Sequence, residues 1–92
     1  MIKSFAHRGL EHFFRTGNAA GIQPHHAPRV RLILAQLQQA RTLADICIPA
    51  LHPYELTGER QGVWAVSVQA PWQITFRFAA GEAEAVAYET YA

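Results

Sequence analysis

Cysteine is almost missing from these 92 residues: Cys47 stands alone, so no internal disulfide can brace the chain. Ile46 and Ile48 flank it and no basic residue lies near it in sequence, which predicts a buried, unreactive thiol. Long apolar runs are missing too. None reaches the roughly 18 to 20 residues of a membrane-spanning helix, and the opening MIKSFAHRG lacks the apolar stretch of a secretory leader. Together these absences predict a cytoplasmic protein without membrane contact. Metal-ligand spacing is also absent, with no Cys-x-x-Cys and no His-Glu-x-x-His. His25 and His26 are adjacent, so on a helix they point about 100° apart and cannot share a metal as an i, i+4 pair can. No metal or other cofactor is expected. The stretch LTGERQG (56–62) has neither the Gly-Lys-Ser/Thr ending nor the strand-to-helix setting of a phosphate loop, and reads as a tight connection. Finally, acid is scarce in the first half. Lys3, Arg8, Arg15, Arg29, Arg31 and Arg41 face Glu11 alone, a balance of +5, whereas residues 42–92 carry −4. The basic half suits a phosphate backbone or an acidic partner, although from charge alone a solvated helix surface is the better account.

What is present is a packed globule. Half the residues are apolar and 16% are charged, the balance of a single folded domain spanning residues 1–92 rather than a disordered chain. Ile2 to Phe5 alternates and predicts a short opening strand. Leu10, Phe13 and Phe14 recur at i, i+3, i+4, the apolar stripe of a helix, with Gly17 as its C-cap. His7 and His12 flank that helix and are expected on its surface. A second, longer helix starts between Pro24 and Pro28, nearer Ala27, because Pro28 would crowd the carbonyl of an earlier start. Val30, Ile33, Leu34 and Leu37 form its inward face, and TLAD (42–45) reads as one further helical turn.

The rest is β. Trp64, Val66 and Val68 alternate on one face of a strand, and a turn follows at Gln69-Ala70-Pro71. Beyond it Trp72, Ile74, Phe76 and Phe78 point one way and Gln73, Thr75 and Arg77 the other. Gly81 marks the next turn, and Ala83 to Tyr91 completes an antiparallel meander. The aromatic sheet face needs covering, and two helices are the only cover available. The expected fold is α+β: a short strand, two helices, then three or four antiparallel strands packed on them. On the polar face Arg77 stands among small and apolar residues, and the last strand brings Tyr88 or Tyr91 beside it. His52-Pro53-Tyr54-Glu55 leads into the first long strand. Arginine, tyrosine and histidine on such a surface can bind phosphate and move protons, although an ordinary half-exposed polar sheet face is the simpler account of the same residues.

Read in order, MIKSF-x-H-x-GL-x-x-FF-x-TG-x-x-x-GIQP-x-HA, LTGERQGVWAVSV, PWQITFRF-x-x-G-x-A and YETY span the whole chain. This pattern resembles the HigB-type toxins of the RelE-like superfamily, the plasmid maintenance killer proteins of type II toxin–antitoxin modules. The resemblance implies a compact RelE-like fold and translation-dependent mRNA cleavage in the ribosomal A site, an endoribonuclease or mRNA interferase activity. It also implies a HigA-like helix-turn-helix antitoxin as partner, with DNA reached only indirectly through that antitoxin. Such toxins need no metal. The ribose 2′-OH attacks the neighbouring phosphate while side chains shuttle protons and hold charge.

The family's usual pieces are a histidine in a His-Pro-Leu-Lys-Gly-like stretch, that lysine, an arginine in an Asn-Trp-Arg turn, and a C-terminal Asp-Tyr-His. His52-Pro53 supplies the dipeptide two residues early relative to Leu56-Thr57-Gly58, and counting back from Gly58 places Tyr54 at the histidine position. Thr57 stands for the lysine, Gln73 for the arginine, Thr90 for the aspartate and Ala92 for the terminal histidine, whereas Tyr91 matches the family tyrosine. The resemblance thus implies His52 or Tyr54 as proton carrier, Arg60, Arg77 and Gln73 as RNA or phosphate contacts, and Tyr91 as a stacking or proton-transfer residue. The substitutions at Thr57, Thr90 and Ala92 imply the alternative of a weakened or inactive toxin homologue that binds antitoxin or RNA.

Overall fold

The computed structural model describes residues 1–91. Helix α1 covers Arg8–Thr16 and α2 covers Ala27–Gln39, with 3-10 turns at Pro24–His26, Leu43–Asp45 and Gly58–Arg60. The strands are β1 (Tyr54–Glu55), β2 (Trp64–Gln69), β3 (Trp72–Ala79) and β4 (Glu82–Thr90), in the order β1-β2-β3-β4 and antiparallel throughout. Leu10 and Phe13 of α1 and Val30, Ile33, Leu34 and Leu37 of α2 bury themselves against Val66, Ile74, Phe76, Val86 and Tyr88 of the sheet. The expected α+β arrangement is therefore the observed one, with both helices on the aromatic side of the sheet. No helix among the described residues is long and apolar enough to cross a membrane.

The helix ends follow from local chemistry. Gly17 closes α1 at φ 80°, its N–H donating to the Phe13 carbonyl at 2.8 Å, the left-handed cap that glycine adopts without steric cost. His7 opens α1: its Nδ1 accepts from the Leu10 N–H at 2.9 Å, so this histidine is a half-buried cap and not the expected free surface residue. Asp45 bonds back to the N–H groups of Arg41 and Thr42, which closes the one-turn helix at 43–45 and holds the Asp45 carboxyl below its usual range. That turn directs Ile46 into the core, and Cys47 beside it points out. The expectation of a buried thiol fails because two neighbours cannot share one inward direction.

The N-terminal segment departs from a regular strand. It lies parallel beside β4 through two isolated bridges, Ile2 to Ala83 and Phe5 to Val86. Between them β4 carries one extra residue, Ala85, at φ 53°, where Arg77 pairs with Glu84 but Thr75 pairs with Ala87. This bulge interrupts the ladder, and the Ala85 N–H turns to the Ser4 hydroxyl at 2.9 Å. The segment still covers the β4 edge, which would otherwise present unpaired backbone groups.

The connection from α1 to α2 crosses α1 at close range. A Cβ placed on Gly21 would sit 2.8 Å from the Gly9 Cα, a backbone atom that cannot swing aside. Gly21→Ala should therefore lower stability by about 1–3 kcal/mol, the usual range for overpacking, read as a lower urea midpoint at unchanged slope. An unaltered midpoint would mean that the two segments separate freely.

Candidate active site

The bulge at Ala85 sorts the end of β4 between the two sheet faces. Val86 and Tyr88 turn toward the helices, and Ala87 and Glu89 turn to the opposite, outer face beside Thr75 and Gln73. Tyr88 is thus not a neighbour of Arg77, as the sequence allowed. It is 4% exposed, stacks on Trp72 with ring centroids 4.5 Å apart, and donates its hydroxyl hydrogen to Nδ1 of buried His26 at 2.7 Å. Nε2 of His26 meets the Gln69 side-chain oxygen at 3.1 Å, so the neutral tautomer with hydrogen on Nε2 satisfies both partners. This is a core network, and sequence reading missed it because an adjacent His-His pair carries no sign of which ring goes in.

The outer face holds the ionisable groups. Gln73 and Thr75 lie on it yet are buried. The Tyr54 hydroxyl, delivered from β1, donates to the Gln73 side-chain oxygen at 2.5 Å. Gln73 pairs across the sheet with Glu89, and Glu89 Oε1 lies 2.7 Å from Arg60 Nη2. That oxygen is shielded from water, and its contact to Arg60 is ionic without hydrogen-bond alignment. Arg60, Thr75, Arg77, Ala87 and Glu89 line one depression of about 380 Å³. Arg77 Nη1 reaches over Gly62, where a Cβ would come within 3.0 Å, and Gly62 has φ 94°. Close approach and backbone conformation both call for glycine there. Tyr91 is 54% exposed, and its N–H is held by the Pro71 carbonyl at 3.1 Å.

Of the residues singled out in the sequence, Tyr54, Arg60, Gln73, Arg77 and Tyr91 thus belong to one continuous stretch of the outer face. His52 does not join them. It occupies a separate depression with Cys47, Ile48, Pro49 and Pro53, with its backbone at φ 48°. Thr57 is exposed just before the 3-10 turn, and Thr90 ends β4 opposite Trp72. Ala92 lies outside the described residues. Sequence reading missed Glu89, which only the β4 register places beside Arg60. Much of the basic charge of the helical half is occupied locally. Arg15 pairs with Glu11, Arg31 sits over the Phe13 ring, and Arg29 donates to the Ser67 and Ala50 carbonyls.

Chemically, two guanidinium groups in one depression can hold the oxygens of a phosphate. Burial pushes the Tyr54 phenol above its usual range, and the charge of a neighbouring Tyr91 phenolate adds to the shift. Burial also raises Tyr88, opposed by the Gln23 N–H that donates to its hydroxyl.

Fold and site together define a small α+β protein with helices on one sheet face and a cluster of arginine, glutamate and tyrosine side chains on the other. The chain belongs to the HigB-like toxin family, the RelE-like toxins of type II toxin–antitoxin system HigB, whose model matches residues 3–92. It is similar to Endoribonuclease HigB of Proteus vulgaris, with 38% identity over 93 residues that cover 99% of each chain. The resemblance read from the sequence motifs is borne out at the level of the family.

Because folding raises both phenols, stability owed to their protonated forms is complete below the unfolded-state value of about 10. It is lost as pH rises through the folded-state values. Tyrosinate absorbance should show late-titrating phenols, one of which disappears in Tyr88→Phe and another in Tyr54→Phe. Denaturation midpoints should hold level to about pH 10 and fall above it.

Proposed function

We propose that this chain is the toxin of a type II module that cleaves mRNA on the ribosome and is neutralised by a HigA-like helix-turn-helix antitoxin. The observation that carries the reading is the meeting of Arg60 and Arg77 in one depression that continues into Tyr54, Gln73 and Tyr91. Family membership and the endoribonuclease name of the Proteus vulgaris relative support it. The expected surroundings are the cytoplasm, with DNA approached only through the antitoxin.

In the proposed reaction the ribose 2′-oxygen attacks phosphorus and the P–O5′ bond breaks. The 2′ proton passes to a base, and an acid protonates the departing O5′. Arg60 and Arg77 stabilise the charge that builds on the phosphate oxygens. Tyr54 suits the acid step, since its hydroxyl is oriented by Gln73. Of the two proton carriers considered from sequence, geometry favours Tyr54 over His52. Tyr91, exposed at the rim, presents a ring on which a base can stack.

A second reading, a weakened toxin that chiefly binds, rests on Thr57 and Thr90, which offer no ionisable group where the family pattern has lysine and aspartate. Induced expression separates the two readings. The active toxin arrests growth, the arrest is relieved by a co-expressed antitoxin, and purified protein cuts mRNA only when ribosomes are present. Arg77→Ala should then slow cleavage by about 10²- to 10³-fold, the usual effect of removing one group that stabilises developing charge. Normal growth together with intact antitoxin binding would overturn the catalytic reading in favour of the binding module.

A further inference from the structure

We propose that Glu89 is an internal anion that competes with RNA phosphate for Arg60 and so holds down affinity for free RNA. The inference rests on the reading of the outer face as a phosphate-binding site. Its grounds are geometric. The Glu89 carboxylate lines the same depression of about 380 Å³ as the two guanidinium groups, and so stands where a phosphate oxygen would go. Its Oε1 lies 2.7 Å from Arg60 Nη2 and is otherwise shielded from water. Arg77, whose Nη1 lies over Gly62, makes no ion pair among the described residues, so the two cations of the site are unequal.

Two arginines and one carboxylate leave the depression with a net charge of one cation. One phosphodiester balances that charge, and any further phosphate of the same strand meets the repulsion of Glu89. To engage the Nη2 edge of Arg60, RNA must displace a carboxylate from a half-exposed pair, with side chains 49% and 32% exposed, and leave Oε1 without its one contact among the described residues, a modest penalty. That penalty is met where other contacts add to binding, as on a ribosome, and is not met by RNA alone. On this account Glu89 contributes to the ribosome dependence of the site. A carboxylate that merely positioned Arg60 would act in the opposite sense, because its loss would weaken phosphate binding.

The test uses the whole protein and an uncleavable single-stranded oligoribonucleotide with 2′-O-methyl riboses, its binding followed by fluorescence anisotropy across a salt series. Glu89→Gln should bind about 5- to 10-fold tighter than the parent. Its plot of log affinity against log salt should steepen by about 0.7, the increment for one more cation engaged with a single strand. Glu89→Asp, whose shorter side chain withdraws from Arg60, should fall between the two. In Arg60→Ala/Glu89→Gln the gain should vanish relative to Arg60→Ala. Inorganic phosphate, followed through the Arg60 Nε resonance, provides a second probe and should perturb Glu89→Gln at lower concentration than the parent. Unchanged or weaker binding by Glu89→Gln, with its denaturation midpoint retained, overturns the proposal. Ribosome-dependent cleavage is read separately. Cleavage without a gain in Glu89→Gln removes the competition and leaves the proposed function standing. A gain without cleavage in any form removes the function and leaves the competition standing.

Discussion

One extra residue in β4 governs both faces of this molecule. Strand side chains alternate strictly, so an inserted residue moves every later side chain to the opposite face. Ala85, at φ 53°, is that insertion. With it, Ala83, Val86 and Tyr88 all reach the core, and Ala87 and Glu89 reach the outer face. Without it, either Ala83 or the Val86–Tyr88 pair would leave the core, and Glu89 would lose its place beside Arg60. The N-terminal segment depends on the same feature, because Ser4 receives the backbone N–H that the bulge leaves unpaired.

The inner face turns this register into packing. Tyr88 stacks on Trp72 and meets the rings of His26 and His7 edge-on. One aromatic cluster thereby joins β3 and β4 to the start of α1 and to the turn that leads into α2. Its polar atoms are satisfied as well, by the Tyr88–His26–Gln69 chain of contacts, so the cluster is buried without an orphaned donor. The outer face is built differently. Gln73 and Thr75 are buried there beneath residues from β1 and the 56–63 connection, and a polar floor carries a small charged cavity. The charged groups themselves stay partly in water, the Arg60 and Glu89 side chains being 49% and 32% exposed, so only Glu89 Oε1 is shielded.

Much of this was legible from the residues alone. The stripes Leu10/Phe13/Phe14 and Val30/Ile33/Leu34/Leu37 announce two helices, and the alternation from Trp72 to Phe78 announces a half-buried strand. Those signals are local, and the packed structure uses them unchanged. The site was legible in part. Arg60, Arg77, Tyr54, Gln73 and Tyr91 could be named because they coincide with positions in a recognisable motif, although sequence did not say which of them meet. The misplaced residues share a cause. Cys47, His7 and His26 each have neighbours of ambiguous direction, and a turn or cap settles the direction through one or two specific contacts.

The sequence by itself determined the two helices and the three long strands, the apolar faces of the helices and of β3, and the family, since periodicity and motif order are properties of the chain. Only the tertiary structure decided that Tyr88 turns inward to His26, that Glu89 stands 2.7 Å from Arg60, and that His52 lies apart from the other candidates. The physical reason is that these pairings follow from strand register and loop path. Register depends on a single bulge that leaves no periodic trace, and Arg60 and Glu89, 29 residues apart, meet only once the sheet has closed.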